Sequence, residues 1–178
     1  MAQIVRLTEY RQRNRAQAGF KLWRRTFDHD FDATMRLNDL SPEVLCRLAE
    51  PAEASTRFFY SLILGFLGYG ENAVFELLEN TTRILVVDIH LFLADQVRFE
   101  MMRRMGWLSR FSATQYHLLD MVLEFEHVRA LCHQDPPQLS ATHPGYEEYK
   151  GLIRQDQQVF IRRLLPACLE EFKREFLG

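Results

Sequence analysis

The sequence predicts an all-α protein, a single-domain antiparallel helical bundle of about five to seven helices spanning residues 1–178. Three observations carry that prediction. Breakers are sparse, with 8 Gly and 6 Pro, while 47% of the residues are hydrophobic and many are long. The punctuation that does occur sits where helices end: Ser41-Pro42, Gly68, Gly70, Gly106 and Pro136-Pro137. No run of alternating β-branched residues competes for strand, and no internal repeat is visible.

The first helix is expected from about Glu9 to Phe27, with Phe20 and Trp23 as its apolar anchors. Ser41 is a good N-cap and Pro42 a good first position for a short helix through Ala49. Pro51 opens the next helix, which runs to about Leu67 and is ended by Gly68 and Gly70. Glu71 to Met105 reads as one long helix closed by Gly106, or as a helix broken near Asn80-Thr81-Thr82, three residues of poor propensity. Ser112 and Gln115 make an S-x-x-Q capping box for a helix to about Cys132. Residues 133–145, HQDPPQLSATHPG, form a loop, because Pro136-Pro137 exclude helix. Pro144 starts a last helix that Pro166 kinks or splits.

The formal net charge of −2 gives the whole chain no bias toward nucleic acid or a membrane surface. Charge is segregated, however. Residues 1–27 form a basic N-terminal arm with seven cations against Glu9, and residues 28–53 carry seven acids against Arg36 and Arg47. Arg11, Arg13, Arg15, Arg24 and Arg25 are therefore candidate contacts for a protein partner or a second copy. Nucleic acid is disfavoured: no interleaved aromatics accompany the arm, and the acidic block would repel phosphate. Cys46, Cys132 and Cys168 are odd in number, far apart and lack C-x-x-C spacing, which points to a reducing cytoplasm. The first fifteen residues hold no apolar signal segment. The most apolar stretches, 58–69 and 84–94, fall short of the ~20 residues a membrane span needs.

Two rows of ionisable residues are the only hint of chemistry. His117, Asp120, Glu124 and His127 fall within an arc of about 80° on a helix. On the long helix, Asp88 and Asp95 project beside Leu77, Ile84, Leu91, Phe92 and Phe99. Glu76, Glu79, Asn80, Arg83, His90 and Arg98 project on the opposite side, the expected wet face. A carboxylate in an apolar face needs a partner. If the following helix returns antiparallel, His117 approaches Asp95 and His127 approaches Asp88. The seam Asp88, Asp95, His117, Asp120, Glu124 and His127 would then suit a divalent metal ion. Di-iron bundles use two E-x-x-H pairs, and this chain has one, Glu124-x-x-His127. An internal salt-bridge network or a solvated face is the preferred reading, with Arg57 a ready partner for a buried Asp.

Gly65, Phe92 and Phe99 mark a candidate apolar ligand pocket, although Gly65 with Ser61 also suits close helix packing. Cys132 and His133 are adjacent, so on a helix they point about 100° apart and make a poor nucleophile–base pair. There is no phosphate-cradling Gly loop and no G-x-S-x-G. The expected function is a non-enzymatic protein-binding module, adaptor or chaperone-like, with no cofactor. The alternatives are a metal-binding bundle holding a divalent ion and an apolar small-ligand sensor.

Overall fold

The Ser41 hydroxyl accepts a hydrogen bond from the Val44 amide at 3.3 Å and Pro42 takes the first turn, so this helix begins where local capping places it. A computed structural model describes residues 2–70 and 74–178, with side chains from Leu7 onward. Together they make one all-α domain, 72% helical. Among the described residues the only strand-like pairings are two isolated bridges, Arg36 with His117 and Leu108 with Leu139.

In chain order the helices are α1 (Ala2–Gly19), α2 (Lys21–Phe27), α3 (Pro42–Ala49), α4 (Glu53–Leu67) and α5 (Asn80–Arg104). They continue as α6 (Leu118–Leu123), α7 (Phe125–Gln134), α8 (Tyr146–Lys150), α9 (Arg154–Arg163) and α10 (Leu165–Phe176). Ten described helices exceed the five to seven expected, because several expected helices are interrupted. The first breaks at Phe20, whose ring is fully buried. The long one starts at Asn80, after a separate 3₁₀ turn over Phe75–Leu77. Its expected start at Glu71 lies outside the described residues. The 112–132 helix is three pieces. Ser112 opens a 3₁₀ turn rather than capping an α-helix, and Glu124, at φ −111° and ψ 32°, separates α6 from α7. Gly151 closes α8, and Pro166 sits in the first turn of α10, splitting the last helix as expected.

Aromatic side chains hold the N-terminal third together. Phe20 meets Trp23, Phe31 and Phe66 at centroid distances of 5.4, 5.3 and 5.1 Å. Such contacts add to the apolar area they bury. The Trp23 indole N–H donates to the Phe58 carbonyl at 3.0 Å, which satisfies its one buried polar atom. Phe31 draws the acidic FDHDFD segment onto this cluster, and the Arg24 guanidinium donates to the Phe31 carbonyl. Gly19 of α1 and Gly65 of α4 lie against each other, so the two backbones cross without side chains between them. Gly68, at φ +88°, ends α4 in the left-handed conformation that glycine adopts at little cost.

α5 packs against α3, α4 and α10. Its buried face is Val86, Ile89, Leu93, Val97, Glu100 and Met101, spaced as one side of a helix. Cys46, Cys132 and Cys168 are all buried free thiols. Burial pushes Cys168 up to about 12, so none of this chemistry resembles an activated nucleophile.

His90 was expected on the wet face, but it is half-buried between Phe59 and Tyr60, 5.3 Å from each ring. Desolvation, followed by the positive charge of Arg98, lowers its pKa. The unfolded chain therefore takes up this proton near pH 6.5 and the native chain only at lower pH. The corresponding stability is intact above about pH 6.5 and is lost as pH falls below it. His143, against Trp107 at 4.9 Å, is lowered by burial in the same sense. We expect the urea midpoint to fall between pH 7 and pH 5, and His90→Phe to flatten part of that fall. An unchanged slope in the variant would show that His90 does not titrate differently on folding.

Candidate functional site

The expected wet face holds only at its start: Glu76, Glu79 and Asn80 are exposed, whereas Arg83, His90 and Arg98 are half-buried. Ile84 (62% exposed) and Leu91 (58%) of α5 stand in solvent seven residues apart, and Leu77 (84%), at the end of the preceding 3₁₀ turn, is exposed as well. Asp88 is exposed on the same side. The two aspartates are thus not acids in a dry interior. Asp95 is half-exposed, with an oxygen 2.9 Å from Arg162 of α9 and another 3.8 Å from Arg98. The physical reason is that aliphatic residues run right round α5, so projection alone cannot say which side its neighbours cover.

The other members of the proposed seam stay apart from these two. His117 precedes α6, with Nδ1 3.4 Å from Asp120 and Nε2 3.4 Å from the Arg36 guanidinium. Glu124 and His127 are exposed, and the break at Glu124 takes them off the line of His117 and Asp120. Among the described residues, no three His, Cys, Asp or Glu side chains come close enough to hold a metal ion. The seam Asp88, Asp95, His117, Asp120, Glu124 and His127 is thus dispersed.

The expected ligand-pocket residues also divide. Gly65 faces the Gly19 backbone and borders a recess between α1, α2 and α4, whereas Phe92 and Phe99 lie elsewhere. Those two form the floor of a second cleft, of about 690 Å³, between α5, α7, the Pro136-Pro137 turn and α9. Phe111 completes the floor, and Phe99 meets it edge-on at 6.1 Å. Around the mouth stand Arg129, Arg154 and Arg162 with Asp88, Asp95 and Asp135, three charges of each sign. The arginines are engaged. Arg162 pairs with Asp95, Arg129 donates to Glu126 at 2.8 Å, and Arg154 donates to the His133 and Gln134 carbonyls at the end of α7.

Of the basic candidates, Arg11, Arg13 and Arg15 are exposed on α1, whose outer half also exposes Leu7 (51%) and Tyr10 (59%). Arg25 is exposed beside the α1–α2–α4 recess. Arg24 is half-buried and bound to backbone carbonyls, so it serves the fold and is not free for a partner.

Two further polar residues of α5, Glu100 and Gln96, are buried. Glu100 is fully buried and accepts hydrogen bonds from Arg103 and Arg104 at 2.8–2.9 Å. Its signal was present, since E-x-x-R-R places both guanidiniums one turn on. Gln96 is 6% exposed and borders the cleft. No local pattern announces it. Compared with known protein families, curated proteins and solved structures, the chain matches none. No described helix is long and apolar enough to cross a membrane.

Proposed function

We propose that this chain is a non-enzymatic helical module that binds protein through the outward face of α5, and that the face takes the N-terminal helix of a second copy. The observation that carries this reading is the exposed pair Ile84 and Leu91 on α5, with Leu77 exposed in the turn before it. Exposed aliphatic side chains grouped on one helix face are candidates for an interaction surface. Ile84, Asp88 and Leu91 follow one another at four and three residues and share one face of α5, the kind of face on which a second helix can lie.

Charge selects the occupant. Asp88 is exposed between Ile84 and Leu91, and Glu76 and Glu79 are exposed just before α5, while Arg83 turns back onto Asn80. A complementary helix would be basic and partly apolar. The outer half of α1 is that: Leu7 and Tyr10 share an exposed helix with Arg11, Arg13 and Arg15. Opposite fields of this kind steer association and set its salt dependence.

Light scattering coupled to gel filtration tests the reading. The expected result is self-association that weakens with added salt. It should be lost in Ile84→Glu/Leu91→Glu and in Arg11→Glu/Arg13→Glu/Arg15→Glu, and partly restored when the two variants are mixed. A monomer at every concentration, or an oligomer indifferent to both variants, would overturn it.

A further inference from the structure

We propose that the cleft between α5, α7 and α9 binds a neutral, flat ring molecule bearing an amide-type edge, a lactam or a primary carboxamide. The residue that reads the edge is Gln96. The residue is 6% exposed, yet its carboxamide meets no hydrogen-bond partner among the described residues. Every fully buried side-chain nitrogen and oxygen there is otherwise satisfied. The Gln96 amide atoms therefore reach accessible space, and the space this residue borders is the cleft. Its amide group thus faces the cleft from an otherwise apolar stretch of α5, between Leu93 and Val97, where it is available to a ligand.

The surroundings define what completes it. A carboxamide offers one donor side and one acceptor side, and pairs best with an edge that offers the reverse, as Gln does with a nucleobase. Phe92, Phe99 and Phe111 supply an apolar aromatic floor on which a ring can lie. Gln158 of α9 is half-buried on the facing wall, where its side-chain nitrogen donates to the Pro137 carbonyl at 3.2 Å. That leaves its oxygen as an acceptor. The charges at the mouth balance, and the arginines already hold carboxylates or carbonyls, so nothing there selects a charged ligand. A volume of about 690 Å³ lies within the range of small-molecule sites and admits a molecule larger than a single ring.

The test uses the full chain with benzamide, uracil and adenine as probes and toluene as the edge-less control, read by ligand-observed NMR. The expected result is binding of at least one amide-edged probe, weakened about tenfold or more in Gln96→Leu, with toluene unaffected by the substitution. Gln155→Trp, at an exposed position on the α9 side of the mouth, is expected to block the same probes without altering the fold. Failure of all three probes on the wild type would overturn the proposal. So would binding that survives Gln96→Leu unchanged.

Discussion

Glu100→Ala is expected to cost about 3 kcal/mol of folding stability, which for a chain of this length lowers the melting temperature by roughly 10 °C. The Glu100 carboxylate is fully buried near the end of α5 and is satisfied from one side only, by its own helix. Arg103 donates through Nε and Nη2, each at 2.8 Å, and Arg104 through Nε at 2.9 Å. Arg104 then donates to the Leu37 and Asn38 carbonyls at 3.1 Å, which ties α5 to the turn that precedes α3. Removing the carboxylate strands two guanidiniums. Arg103 is 33% exposed and can turn to water, whereas Arg104 is 16% exposed and cannot do so fully. That difference places the cost near the lower end of the ~3–5 kcal/mol seen for a broken buried pair. Arg104→Lys keeps the charge but not the fork, so it should lose the contact to the Leu37–Asn38 turn at a smaller cost of about 1–2 kcal/mol. Glu100→Leu separates shape from charge: it fills the space and still strands the arginines, so it should be nearly as damaging as Ala. Urea midpoints decide the matter. A loss below about 1 kcal/mol for Glu100→Ala would mean the network is solvent-compensated and does not brace the fold.

The parts of this fold that were legible in the sequence are those set by local rules. Ser41-Pro42, Gly68 and Pro166 act within one turn of themselves, and each marks the boundary its chemistry implies. The break at Phe20 was not legible, because Phe is no breaker. The chain turns there to bury the ring between Phe31 and Phe66, residues far along the sequence. α5 is the sharper case. Its aliphatic residues encircle it, and only the approach of α3, α4 and α10 decides that Val86, Ile89, Leu93 and Val97 are inside while Ile84 and Leu91 are outside. A sequence projection gave Asp88 and Asp95 a burial they do not have, and passed over Glu100, which does have it. The cleft was half-legible. Phe92 and Phe99 were marked, but Gln96 matters only because α7 and α9 stop short of covering it, which no local pattern encodes.

Gly65→Ala should be the more severe of two small changes at the crossing of α1 and α4, with a loss of about 3 kcal/mol despite the ~1 kcal/mol that Ala gains over Gly in a helix. A Cβ at Gly65 would fall inside contact distance of the Gly19 backbone and 2.7 Å from the Ala18 carbonyl carbon. These are main-chain atoms of a packed helix, so no side chain can rotate away, and α1 must move off α4. A Cβ at Gly19 would instead run into the Phe66 ring and come within 2.9 Å of the Leu62 carbonyl oxygen. Phe66 is fully buried against Phe20, so it has little room, but a ring edge yields more readily than a backbone. Gly19→Ala should therefore cost less than Gly65→Ala. The two changes act on one crossing. Once either has pushed the helices apart, the other finds space, so the double variant should lose clearly less than the sum. Equilibrium unfolding of the four proteins gives this directly, and the fluorescence of Trp23, one turn beyond Gly19, read in a Trp107→Phe background, reports whether the N-terminal helices have shifted. Fully additive losses would mean that the helices do not separate as a unit. A stable Gly65→Ala protein would mean that the close approach of Gly19 and Gly65 is not what sets the spacing between α1 and α4.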